Sequence, residues 1–142
     1  MTVAVSRSRV VRRDADDVAA LVTDPSRLLP FLADFGRFDP LGEDEYDVFL
    51  DIGTIHVGGR VQISRPDART LFWHSIRGTT HTLELRVDDH EQGSLVTMTL
   101  TLTLFGLAVA RIAELMARGI MDRHVIAGLE QLRHALEYDE FG

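Results

Sequence analysis

From Glu45 to Phe105 apolar and polar residues alternate with a period of two, and after Gly106 the period lengthens to 3.6 and holds to about Tyr138. No other feature leaves the chain so little freedom. Alternation makes strands with one dry and one wet face, and the dry face has to be covered. The helical stretch spans roughly thirty residues, or about 45 Å at 1.5 Å per residue. Such a helix can cross a whole sheet, and the dry face of the meander is the only partner large enough for its apolar stripe.

The strands can be read one by one. "EYDVFLDI" puts Tyr46, Val48, Leu50 and Ile52 on one face, and Gly53-Thr54 supplies a two-residue turn. "IHVGGRVQIS" puts Ile55, Val57, Gly59, Val61 and Ile63 together, with His56, Arg60 and Gln62 opposite. After Pro66-Asp67, Leu71, Trp73, Ser75 and Arg77 share one parity; after Gly78, His81, Leu83, Leu85 and Val87 do. "LVTMTLTLTLF" is the cleanest case, with Val96, Met98, Leu100, Leu102 and Leu104 inward and threonines 97, 99, 101 and 103 outward. The helix stripe is read as Ala108, Ile112, Leu115, Gly119, Ile126, Leu129 and Leu136, flanked by Val125 and Leu132.

Upstream, Val3 to Val11 is a short strand. Asp14 caps a helix carrying Asp16 and Asp17 in its first turn and Val18, Leu21 and Val22 on one side. Asp24 with Pro25 starts a second short helix, which Pro30 kinks or ends. "DFGRFDPLGED" is turn-rich, with a brief strand at Phe35 to Asp39.

Composition narrows the function. A chain of 142 residues, 45% of them hydrophobic, can bury its core as one domain spanning 1–142. A net charge of −7 argues against nucleic acid as a partner. Cysteine is absent and all fifteen basic residues are arginine, which removes disulfides, thiolate chemistry and lysine Schiff bases. Leu104 to Ala110, the longest apolar run, is too short to cross a bilayer, and the first residues lack a signal-peptide core. A cytoplasmic protein without stable membrane insertion is expected. The spacings HExxH, GxSxG and GxGxxG are all missing, so no metal, serine nucleophile or dinucleotide cofactor is predicted. Acids at Glu43, Asp44, Glu45, Asp47 and Asp51 form an acidic edge, read as a solvated face.

The order of elements, together with "VTDPSRLLPF" after the first helix, "RPDARTLFW" entering a mid-sheet strand and "GSLVTMTLTL" before the last helix, resembles the START/Bet v 1-like (SRPBCC) superfamily. Within it the chain is most similar to the polyketide cyclase/dehydrase and lipid-transport group. The resemblance implies an α+β helix-grip fold: a curved seven-stranded antiparallel sheet wrapped around a long C-terminal helix, two short helices after the first strand, and a mostly apolar cavity between sheet and helix. It transfers no catalytic residue. The paired glycines 58 and 59 and the inward Gly119 are consistent with such a space.

Asp122 stands where the stripe calls for an apolar residue. A lone buried carboxylate would be driven neutral. Either it pairs with an arginine, Arg118 first and Arg111 or Arg133 next, or it is the polar floor of a cavity; the two can hold together. His81 is its inward strand partner, able to orient a general acid or base or to be satisfied by a neighbour. Trp73, Leu83, Met98, Leu100, Leu115 and Gly119 are read as cavity wall, and Asp122, His81, Ser75, Arg77 and Tyr46 as polar contacts. His56, His74, His90, His124 and His134 are set aside. The leading expectation is binding or carriage of a small hydrophobic or amphipathic molecule: a lipid, a polyketide-like aromatic or a quinone. Two alternatives stand beside it. One is a cyclase or dehydratase using His81 or Asp122; the other is a protein-interaction module with a packed interior. Catalysis and homodimerisation stay open.

Overall fold

The computed structural model describes residues 2–28, 31, 35–52, 55–103 and 110–138, with the backbone alone at 35 and 110–114. Strand β1 (Thr2–Val11) leads into helices α1 (Ala15–Val22) and α2 (Pro25–Leu28). Six strands follow: β2 (Phe35–Gly42), β3 (Glu45–Ile52), β4 (Ile55–Asp67), β5 (Thr70–Gly78), β6 (His81–His90) and β7 (Gly93–Thr103). Helix α3 (Ala110–Tyr138) ends the described chain. All seven strands form one curved antiparallel sheet in the order β1-β7-β6-β5-β4-β3-β2. The fold is thus α+β and helix-grip, as expected. The expected break at Pro30, the Gly53-Thr54 turn, Leu104, the helix start after Gly106 and Ala108 lie outside the described residues.

Local chemistry accounts for the early elements. The Asp14 carboxylate accepts from the Asp16 amide at 3.1 Å and caps α1. At its end the Thr23 hydroxyl donates to the Ala19 carbonyl at 2.7 Å. Asp24 repeats the capping for α2, accepting from the Ser26 amide at 3.1 Å. The turn-rich stretch holds more strand than the sequence suggests, because β2 finds a partner: it pairs with β3 from Phe35 to Gly42.

Two facing positions in the middle of the sheet require glycine. Gly59 (φ +142°) and Gly78 (φ +87°) face each other where β4 and β5 approach closely, and a Cβ on Gly59 would stand 2.0 Å from the Arg77 carbonyl oxygen. Beside them β5 carries one extra residue: Arg60 pairs with Arg77 but Val61 pairs with Ser75, leaving Ile76 as a bulge. This bulge corrects the expectation for Arg77. Parity inherited from Trp73 and Ser75 would turn it inward; one inserted residue places it opposite Arg60 on the outer face, where it is exposed.

Most inward residues of β3 to β7 are buried as the alternation predicts, with Tyr46, Ile55 and Ser75 half-buried, and Trp73 is among the largest fully buried side chains. Helix α3 packs chiefly on β1 and more lightly on β7 and β3. Its buried stripe is Ala117, Met121, Val125, Leu129, Leu132 and Leu136. Leu115 and Ile126, expected inside, are 64% and 46% exposed. The true stripe is turned by roughly one residue step of 100° from the expected one. The helix carries apolar residues on more than one side, so its own pattern leaves the phase open. Packing on β1 selects it.

Candidate ligand-binding site

The sheet's dry face and α3 enclose a small apolar cavity. Leu50 and Ile52 come from β3, Val57 from β4, Trp73 from β5, His81 and Leu83 from β6, Met98 and Leu100 from β7, and His124 and Val125 from α3. Its volume is about 20 Å³. A water needs roughly 10–15 Å³ measured in this way, so the space as it stands suits a single water.

His81 is 4% exposed and fully engaged. The Trp73 indole Nε1–H donates to His81 Nε2 at 2.9 Å, and His81 Nδ1 lies 2.7 Å from the Thr79 carbonyl oxygen. An indole N–H can only donate and a carbonyl can only accept. The ring is therefore the neutral Nδ1–H tautomer, with neither nitrogen left over. Burial lowers its pKa below the ordinary 6.5, with the Thr79 carbonyl opposing. Ser75 stands behind the ring, its Oγ accepting from the His81 amide at 3.0 Å. Trp73 meets the imidazole edge-on at 5.9 Å between centroids and meets Phe38 at 5.1 Å. Phe38 in turn packs on Tyr46, also at 5.1 Å, so Tyr46 is half-buried at one remove from the cavity.

Asp122 lies elsewhere. It accepts two hydrogen bonds from Arg7 of β1, from Nε at 2.6 Å and Nη2 at 3.0 Å. These bonds hold the carboxyl below its ordinary range. The bland half of the sequence reading, an ion pair, thus describes Asp122, but with a partner 115 residues away rather than on its own helix. Of the expected partners, Arg118 donates to the Ala4 carbonyl at 3.0 Å, Arg133 pairs with Glu130 and Glu137, and the side chain of Arg111 lies outside the described residues. Leu115, Gly119, Arg118, Asp122 and Arg7 line an open groove of about 550 Å³ between α3 and β1.

Of the residues singled out in the sequence, the structure brings Trp73, His81, Leu83, Met98 and Leu100 together around the cavity. Asp122, Leu115 and Gly119 border the groove instead, because α3 is turned away from its expected phase. Ser75 touches the site through the His81 amide, while Tyr46 and Arg77 do not line it. Sequence reasoning read Leu50, Ile52 and Val57 as inward and Val125 as a flank of the helix stripe without naming them as cavity wall, and it set His124 aside. His124 and Val125 follow Met121 by three and four residues, and a correct phase of the stripe would have placed both at the cavity. Among the described residues, no three His, Asp or Glu side chains gather as metal ligands, and no helix is long and apolar enough to cross a membrane.

A layout of this kind occurs in solved structures. The protein TTHA0849 from Thermus thermophilus superposes with a TM-score of 0.74 at 15% identity over 96% of this chain and 97% of that one. The Zhui aromatase/cyclase from Streptomyces sp. R1128 gives 0.68 at 12% identity over 97% and 98%. This chain's fold is of the polyketide cyclase/Bet v 1-like kind. The di-domain aromatase/cyclase StfQ of the steffimycin biosynthetic pathway gives 0.71 at 13% identity, and there this chain aligns over 96% of its length with 51% of the larger protein. No family model and no curated protein matches the sequence. At these identities the likeness is one of fold.

Proposed function

We propose that the protein binds a small hydrophobic or amphipathic molecule between the sheet and α3. The observation that supports this reading is an enclosed space whose described walls are apolar apart from two imidazoles, on a Bet v 1-like fold. Apolar walls with few polar groups suit such a ligand. Its present volume of about 20 Å³ means that a lipid, a polyketide-like aromatic or a quinone enters only if side chains give way. Met98, an unbranched thioether on the floor, is the most adaptable of them.

The small volume is also what favours the rival reading, an interaction module with a packed interior. A cyclase activity draws on the names of two structural neighbours. It would need an acid or base other than the pair first suggested, since His81 has both nitrogens engaged and Asp122 faces the groove.

Native mass spectrometry and organic extraction of freshly purified protein, beside Leu100→Trp, test the binding reading. The expected result is an apolar compound retained in stoichiometric amount and lost from the variant. If nothing is retained, and no apolar dye binds wild type more tightly than a Leu100→Trp variant that still folds, the packed interior takes its place.

A further inference from the structure

We infer that β2 is a self-pairing edge: two copies of this chain join β2 to β2, antiparallel about a two-fold axis at Phe38, into one continuous sheet. The partner is a second copy because the strand is complementary in charge to itself.

Strand β2 ends the sheet on the side away from β1. The direction of its backbone follows from its neighbours. The Gly58 carbonyl accepts from the Thr79 amide at 2.8 Å, so Gly58 turns toward β5 and Gly59 toward β3. The Ile63 amide, of the same parity as Gly59, donates to the Asp44 carbonyl at 2.8 Å and agrees. Gly59 stands opposite Val48, and Val48 opposite Phe38. Bonding alternates along an antiparallel strand, so Val48 is engaged by Gly59, and Gly36, Phe38 and Pro40 turn their backbones away from β3. Pro40 has no N–H to offer, and an edge strand with its nitrogen facing outward is where proline is tolerated.

A second β2 laid antiparallel with Phe38 opposite Phe38 uses these groups. The two Phe38 backbones exchange hydrogen bonds, and each Gly36 amide donates to a Pro40 carbonyl. The same register sets Arg37 of each copy opposite Asp39 of the other. In the single chain these two side chains are 78% and 54% exposed and pair along their own strand at 3.1 Å. Shifting the centre of pairing by one residue puts either Arg37 opposite Arg37 or Asp39 opposite Asp39, and like charges directly opposite are destabilising. Charge thus selects the register centred on Phe38. On the inner face the half-buried Phe38 rings come side by side, each already packed on Tyr46 and Trp73. The acidic turn at Glu43 and Asp44 follows each β2, so the two turns lie at opposite ends of the pairing. At about 3.3 Å per residue they stand roughly 25 Å apart, beyond the Debye length of about 8 Å. The arrangement is an isologous two-fold dimer.

Sedimentation velocity from about 1 to about 500 µM tests it. The expected dimer has a Kd of about 10 µM or weaker, in keeping with a small interface. Arg37→Asp and Asp39→Arg, both on the exposed outer face, should each weaken it roughly tenfold, since two attractive pairs become repulsive. Asp39→Arg carries less net charge than wild type, so its dissociation would not come from general repulsion. Mixing the two variants should restore a dimer, because each then faces opposite charges. Hydrogen exchange at the Gly36 and Phe38 amides should slow as concentration rises, with no such change along β1. A chain that stays monomeric throughout overturns the inference and leaves the β2 edge to an extended segment of another protein. A dimer indifferent to both reversals, or one that protects β1 instead, also overturns it.

Discussion

Helix α3 meets the sheet in two chemically opposite ways. Along β1 the seam is charged. Val3 and Val5 begin the inward row of that strand, and Arg7 and Arg9 continue it. They pair with Asp122 and with Glu130, the latter at 2.5 Å. Arg118 reaches back to the Ala4 carbonyl and Arg13 to that of Leu136, at 3.0 and 3.2 Å. Toward β7 and β3 the contact is apolar, and the Trp73, His81 and Thr79 groups on the sheet beyond it satisfy one another. Charge is tolerated at the first seam because it borders an open groove where water shares in solvating it, and refused at the second because desolvation would cost too much. Inward-pointing arginines on an edge strand, one neighbour donating to an edge carbonyl, also discourage a foreign strand from pairing there.

The sharpest way to break this contrast is to open the dry side. Trp73→Ala removes a fully buried ring and orphans His81 Nε2 together. A loss of about 3–5 kcal/mol is expected in urea unfolding, the range for large-to-small aromatic changes in a core. A loss under about 1 kcal/mol would mean that the interior collapses freely.

Next in size is the acid limb of stability. The neutral His81 is favoured by the fold, so its pKa lies below 6.5 and the unfolded chain takes up a proton first as pH falls. Stability should therefore hold above about 6.5 and decline below it, with a slope of at most about 1.4 kcal/mol per pH unit for one proton. Asp122 acts in a lower window. Its carboxyl is held below the ordinary 3.8, so its contribution is present above that value and fades only as pH falls toward its folded pKa. Unfolding curves across pH 3 to 8 should show the interior failing before the seam. A flat curve between pH 6.5 and 5 would contradict the tautomer assigned to His81.

The smallest effect belongs to the seam itself. Asp122→Asn should lower stability slightly, with coupling to Arg7→Ala in a double-mutant cycle that shrinks as salt is added. Coupling indifferent to salt would place the pair in a drier setting than the groove provides.

Several of these assignments were legible in the sequence. The alternation from Tyr46 to Leu102 named the buried face of nearly every described strand, and His81 was found inward because its parity matched Leu83, Leu85 and Val87. Where the reading failed, the cause was a relation between distant segments. Ile76 is a bulge only because Gly59 and Gly78 bring two backbones together, and Arg77 turned outward with it. Arg7 was not suspected as the partner of Asp122, since a carboxylate on a helix is first compared with arginines one turn away.

What the sequence determined by itself was the succession of periods, hence seven strands' worth of dry face and one long helix to cover it, because alternation and helical spacing are local properties of the chain. What the tertiary structure alone decided was rotation and register. The phase of α3 put His124 and not Asp122 against the cavity, and the pairing of β1 with β7 brought Arg7 under the helix. A helix with apolar residues on several sides can bury any of them. Only the surface it packs against, and the charges already waiting there, select which.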